Sequence, residues 1–236
     1  VDIAPLGRRA LAELIGTAFL VAAVIGSGIA ATRFSPDDTG LQLLENSVVT
    51  GAALVALITA LQPVSAAFNP VVTLVERALG AVTTREAGAL IASQFVGGFL
   101  GAIAANLMFD LDAVSISHHH RASGGHLLGE VIATLGLLVL IFGAARAGRT
   151  DRVAVTVGGY ITAAYWFTSS TSFANPAVTL ARMFSDSFAG IAPSSVPGFV
   201  AMQLVGGAVG YALVRALYPD PGATVPARTG STREAT

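Results

Sequence analysis

Apolar runs long enough to cross a bilayer alternate with short polar breaks along almost the whole chain. A helix needs about 20 mostly apolar residues to span the hydrocarbon core. Six stretches qualify, at roughly 11–31, 46–66, 86–109, 127–147, 151–169 and 195–217. Two shorter apolar pieces begin at Asn69 and Asn175 and fade by Gly80 and Phe184; at about 1.5 Å per residue each is only ~15 Å long. They are predicted to enter the membrane without crossing it. The first apolar run keeps the polar Glu13 and lacks a small-residue cleavage site, so it reads as a mature transmembrane helix and not a signal peptide.

The pattern is also a repeat. Asn69-Pro70-Val71-Val72-Thr73-Leu74 returns as Asn175-Pro176-Ala177-Val178-Thr179-Leu180, Glu13-Leu14-Ile15-Gly16-Thr17 as Glu130-Val131-Ile132-Ala133-Thr134, and Gln94-Phe95-Val96-Gly97-Gly98 as Gln203-Leu204-Val205-Gly206-Gly207. Three blocks recurring in one order divide a single membrane domain, residues 1–218, into repeat one, about 8–109, and repeat two, about 127–218. Each repeat holds three spans, an odd number, so the second enters the membrane from the opposite face. Inverted repeats of this kind place their shared site near the bilayer midplane, where interrupted helices meet. Residues 219–236, rich in Pro, Gly, Thr and Arg, read as a mobile cytoplasmic tail.

Composition agrees with the pattern. Of 236 residues 53% are hydrophobic and 11% charged, and the mean hydropathy is +0.71, which sets the lipid bilayer as the first partner. A net charge of −1 argues against nucleic acid, and the absence of Cys removes disulfides and thiolate chemistry. No cofactor or metal site is predicted, and no nucleophile, base and oxyanion set points to an enzyme. All 13 basic residues are Arg. With six alternating spans, ten fall on one side, and only Arg33, Arg121 and Arg182 fall on the other, beside Asp37, Asp38, Asp110 and Asp112. The positive-inside rule then puts both termini in the cytoplasm, for a multi-pass protein of the plasma (inner) membrane.

An Asn-Pro pair starts a helix: Asn is a strong N-cap, and Pro at the first position lacks an N–H that the helix could not have bonded. Two half-helices starting at mid-membrane from opposite faces bring their positive dipole ends and two Asn amides to one point. Such an end is tolerated only where it is buried or lines water. Carboxamide donors there can hold a passing oxygen while the dipoles oppose any cation, hydronium included.

These elements resemble the major intrinsic protein family, the aquaporins and aquaglyceroporins, over residues 8–218. The resemblance rests on Ala12-Glu13 with Gly16-Thr17, the run from Phe68 to Leu74, Gln94 with Gly97-Gly98, Glu130, and Asn175-Pro176-Ala177. It implies an all-α membrane protein with six transmembrane helices, two re-entrant half-helices, one pore per subunit, and a homotetramer. Asn69, Pro70, Val71, Asn175, Pro176 and Ala177 would form the pore motifs. Glu13 and Glu130 would hold the re-entrant loops by accepting their backbone N–H groups, in preference to relaying protons.

The chain departs from the family at the outer constriction. Most members carry Arg directly after the second Asn-Pro-Ala; here the position is Val178. An ungapped carry-over of the other filter positions gives Val49, Ala163 and Ser172. Such a ring is expected to be wide, weakly polar and uncharged. It resembles a bacterial subgroup, with an aliphatic residue in place of the filter Arg, linked to movement of undissociated arsenite; glycerol, urea, ammonia, water and other metalloid hydroxides remain compatible as well. A passive wide-filter channel for small neutral solutes (arsenite, glycerol, water) is therefore expected. The alternatives are a water-selective pore and an ion-coupled secondary transporter. Arg182, one turn beyond Val178 on the same face, is a candidate replacement charge in the outer vestibule; the competing reading has it capping carbonyls or pairing with Asp186.

Gln94 and Gln203 precede small residues that let helices approach, so packing is their expected role. His118-His119-His120, with His126, is expected in a solvated outer loop, and tuning of that mouth by pH is the alternative. Trp166 and Tyr165 are expected as interfacial or core aromatics.

Overall fold

The polar breaks become helix caps. In the computed structural model, which describes residues 4–218, the chain folds as α1 (Leu6–Phe34), α2 (Thr39–Leu61), α3 (Pro70–Ala78), α4 (Thr84–Met108), α5 (Gly124–Arg146), α6 (Val153–Phe167), α7 (Pro176–Arg182) and α8 (Val196–Leu217). The tail at 219–236 lies outside the described residues. No β-strand occurs among the described residues.

Each start has a local cause. The Asp38 side chain accepts from the Leu41 N–H, and Ser123 accepts from His126. Thr83 and Glu86 form a capping box, satisfying two orphan donors reciprocally. Asn69 and Asn175 cap α3 and α7, with Pro at the first helical position of both.

Five helices, α1, α2, α4, α5 and α8, are long and apolar enough to cross a membrane by length and composition. The sixth, α6, has 15 residues, about 22 Å, and is preceded by a 3-10 turn at Thr150–Arg152. The second span begins earlier than its hydropathy predicts, at Thr39 and not near 46. Polar residues in its first turns bond back to the preceding turn: Gln42 donates to the Ser35 carbonyl at 2.7 Å and the Ser35 hydroxyl to Glu45 Oε1 at 2.8 Å.

The two halves pack alike, α1 on α4 and α5 on α8, with α2 against α6 between them. Small residues set these distances. A Cβ at Gly97 would stand 2.2 Å from the Leu14 carbonyl oxygen, so only Gly lets α4 approach α1 this closely. Each half-helix also seats in the other repeat: a Cβ at Gly207 of α8 would meet the Val71 side chain at 2.5 Å, and Ala177 lies against Gly98 of α4. The start of each half-helix is thereby fixed by packing beyond its own sequence.

Candidate functional site

Α tight turn precedes each half-helix. Phe68 and Ala174 have φ of 48° and 49°, the left-handed region that costs a non-Gly residue energy. The glutamates hold these turns. Glu13 accepts from the backbone N–H of Ala67 at 2.9 Å and of Phe68 at 2.7 Å, and from the Ser65 hydroxyl. Glu130 accepts from Phe173 at 2.9 Å and Ala174 at 2.8 Å. Both carboxylates are fully buried, and each buried acceptor is matched by donors fixed in the loop.

Gln94 and Gln203 do more than pack. Gln94 Nε2 donates to Glu13 at 2.8 Å and to the Thr73 hydroxyl at 2.9 Å; Gln203 donates likewise to Glu130 and, at 2.7 Å, to Thr179. Each Gln ties the loop-holding Glu to the half-helix that follows. The recurrence of Glu, Thr and Gln in both repeats was the available signal, but linear spacing does not show that the three meet.

The two Asn side chains are locked across the repeat. Asn69 Oδ1 accepts from the Val71 N–H at 3.0 Å while Nδ2 donates to the Ala174 carbonyl at 2.8 Å. Asn175 Oδ1 accepts from Ala177 at 3.0 Å and Val178 at 3.3 Å, while Nδ2 donates to the Phe68 carbonyl at 2.7 Å. An amide NH2 carries two hydrogens, so one remains on each Asn for the cavity that both side chains line.

That cavity has a volume of about 530 Å³. Arg9, Glu76 and Thr150 line one end; Leu20, Leu54, Val157 and Ile161 form an aliphatic middle wall beside the Asn pair; Tyr165, Ser172, Val178 and Arg182 line the other end. Ser172 Oγ is buried with no hydrogen-bond partner among the described residues.

Two expected filter residues are elsewhere. Val49 is 43% exposed and lines a separate surface groove with Phe34 and Phe109, and Ala163 faces outward on α6. Neither lines the cavity; Thr50 and Tyr165 do, with Thr50 Oγ1 and the Tyr165 hydroxyl 3.1 Å apart. The cause is helical register: one residue turns a side chain by about 100°, and the ungapped carry-over slips by one on α2 and by two on α6. With Thr50 and Tyr165 in place of Val49 and Ala163, the cavity wall is more polar than two valines, an alanine and a serine would make it. Tyr165 is a buried member of the wall, not an interfacial aromatic; Trp166 is exposed and donates to Ser47 Oγ at 3.2 Å.

Arg182 is 2% exposed. Its Nε–H donates to the Ala189 carbonyl, and its guanidinium lies 3.4 Å from the centre of the Phe173 ring, a cation–π contact. Among the described residues it has no carboxylate within ion-pair distance. Asp186 instead accepts from the His118 N–H at 3.0 Å and its ring at 3.1 Å, contacts that hold the Asp186 carboxyl below its ordinary range. The pairing of Arg182 with Asp186 is thus excluded, and the capping of a carbonyl coexists with its place in the cavity wall.

The His tract is fastened to the loop after α7. Ser117 N–H donates to Met183 at 2.9 Å, Ala192 N–H to the His119 carbonyl at 2.7 Å, and His120 Nδ1 lies 3.3 Å from Ser194 Oγ. No group of three or more His, Cys, Asp or Glu among the described residues is placed to hold a metal ion.

Comparisons with known proteins agree with this geometry. A family model described as Major intrinsic protein matches residues 3–161. Aquaglyceroporin AqpS of Rhizobium meliloti (strain 1021) is 47% identical over 211 residues, covering 89% of this chain and 90% of that protein. Aquaporin NIP1-2 of Arabidopsis thaliana is 31% identical over 156 residues, 61% of this chain and 52% of that one. The X-ray structure of the aquaglyceroporin from Plasmodium falciparum shares the fold, with a TM-score of 0.67, 17% identity, and coverage of 91% and 96% of the two chains.

Proposed function

The chain belongs to the major intrinsic protein family, and from that premise we propose that it is a passive channel whose permeants are compact hydroxyl-bearing solutes: glycerol, undissociated arsenite and water. It is an integral membrane protein for small neutral solutes. The observation that carries the finer reading is the locked Asn69–Asn175 pair beside an outer end bearing Arg182, Ser172 and the Thr50–Tyr165 hydroxyl pair.

A solute entering at the Arg182 end sheds water and meets fixed donors, the guanidinium and the free Asn hydrogens, that bond its oxygens. The aliphatic Leu20, Leu54, Val157 and Ile161 add no polar partner, so at the Asn pair a solute is bonded from one side only. The N-terminal ends of α3 and α7 point their dipoles at the crossing and oppose cations there. Val178 leaves the position after the second motif uncharged; Arg182, one turn on, supplies the positive potential from a buried place in the wall. The name aquaglyceroporin, given to a relative 47% identical, favours glycerol, and arsenite offers the same three-hydroxyl face.

Asn69, Pro70, Val71, Asn175, Pro176 and Ala177 are assigned to the pore centre, Thr50, Tyr165, Ser172, Val178 and Arg182 to the outer constriction, and Glu13 and Glu130 to loop support. The channel domain is assigned to residues 1–218, in two repeats, as a homotetramer in the plasma (inner) membrane with both termini cytoplasmic. Parallel stopped-flow measurement of water, glycerol and arsenite entry into proteoliposomes tests the permeants: all three are expected to exceed protein-free vesicles. Arg182→Ala is expected to change the glycerol-to-water ratio; an unchanged ratio removes Arg182 from the constriction.

A further inference from the structure

Neither the Asn crossing nor the outer constriction uses Glu76. It sits on α3, two turns past Asn69, and lines the cavity at the end opposite Arg182. Among the described residues its carboxyl makes no hydrogen bond and no ion pair. The nearby charged groups are already committed. Arg9 on α1 binds Glu86 of α4 through Nη1 at 2.8 Å, and Glu86 is fixed in turn by the Thr83 N–H at 2.7 Å and hydroxyl at 2.8 Å. Glu13, also on α1, is occupied by Ser65, Ala67, Phe68 and Gln94.

Glu76 therefore presents spare acceptor capacity in a pathway wall that also contains the apolar Val72, Val82 and Phe142. A carboxyl group has several lone-pair sites, and a polar group in such surroundings gains from a donor that replaces water. A hydroxyl is both donor and acceptor. A solute built of hydroxyls can be met by donors at the Arg182 end and by an acceptor at the Glu76 end, whereas a solute without donor hydrogens is served at one end only.

We propose that Glu76 forms a second solute subsite, an acceptor site for neutral polyhydroxyl solutes at the end of the pathway opposite Arg182. The proposal rests on the channel reading above. Its test uses the full chain in proteoliposomes as wild type, Glu76→Gln and Glu76→Leu, with glycerol, ethylene glycol and water as probes in stopped-flow light scattering. Glycerol entry by the wild type is expected to saturate. Glu76→Leu should raise the half-saturating glycerol concentration about threefold or more, the loss of a modest binding contribution. The shift should be smaller for Glu76→Gln and for the two-hydroxyl ethylene glycol, and water permeability should stay within about twofold.

Unsaturable wild-type entry, or an unchanged half-saturating concentration in a water-conducting Glu76→Leu, overturns the subsite. If Glu76→Leu loses water conduction as well, Glu76→Gln decides by the same criterion. A wild type that passes water but neither alcohol contradicts the subsite alone; one that passes nothing beyond protein-free vesicles contradicts the channel reading and the subsite with it.

Discussion

Asn69 and Asn175 are each bonded to the carbonyl that precedes the other: Nδ2 of Asn69 reaches Ala174 at 2.8 Å and Nδ2 of Asn175 reaches Phe68 at 2.7 Å. The two half-helices are thus tied at their starts, and each Asn spends its Oδ1 on its own helix and one Nδ2 hydrogen on its counterpart's turn. The last hydrogen is left on an amide fixed by two bonds at Asn69 and three at Asn175, which makes it a preset donor beside the cavity. Preorganised donors do not have to reorient when a solute arrives.

Replacing Asn175 by Asp keeps the cap acceptor and removes the donor to Phe68. The buried carbonyl left unpaired costs about 1–3 kcal/mol. The proposed cation barrier at the two half-helix starts also gains a carboxyl. The expected result is a lower unfolding temperature in detergent together with proton entry detectable by a dye inside vesicles; unchanged stability would show that the crossing bond contributes nothing.

Gln94→Leu removes the donor shared by Glu13 and Thr73. A loss of about 1–3 kcal/mol is expected from the unpaired buried groups, and water conduction should fall because α3 loses its tie. In a double-mutant cycle with Thr73→Val the two effects should be less than additive, since both remove the same 2.9 Å bond. Full additivity in denaturant unfolding would separate the two residues.

Tyr165→Phe and Val49→Ala distinguish the proposed constriction, built on the residues that line the cavity, from the one given by ungapped carry-over. Tyr165→Phe removes the hydroxyl 3.1 Å from Thr50 and should change the glycerol-to-water flux ratio. Val49→Ala, on an exposed face, should leave it unchanged. The opposite pattern would restore Val49 to the pathway.

The His118–Asp186 contact predicts a pH response of the loops that follow α4 and α7. The Asp186 carboxyl is held below its ordinary value by the His118 hydrogen bonds, so it stabilises the fastened loop above its unfolded-state titration and loses that contribution as pH falls through the lower folded-state value. Hydrogen exchange at His118 should quicken under those acid conditions. Asp186→Asn should show faster exchange already at neutral pH, and a mutant that exchanges like the wild type would mean the carboxylate does not hold the loop.

Several of these residues differ in how far the sequence alone reveals them. The Asn-Pro repeats, the Glu pair and the Gln pair are local patterns recurring in order, and an odd number of spans per repeat dictates the inversion. The start of α2 is obscured because Gln42 and Glu45 are polar, and their partners, Ser35 and Pro36, lie across a turn. Val49 and Ala163 stand where a helical register slip of one or two residues puts them on the wrong face. The Asn crossing and the isolation of Glu76 arise between distant segments, so no local spacing encodes them; the Arg182–Phe173 stack is local, but it needs the turn before α7 to fold Phe173 back along that helix.

The central claim is passive conduction of neutral solutes past a cation-opposing Asn crossing. Glycerol entry into proteoliposomes, measured by stopped-flow light scattering with and without an imposed proton or sodium gradient and with a pH dye inside, tests it most directly. The predicted result is protein-dependent glycerol entry at the same rate under both conditions, with no protein-dependent proton entry. Glycerol entry that rises with the ion gradient, or that brings protons with it, would contradict the claim.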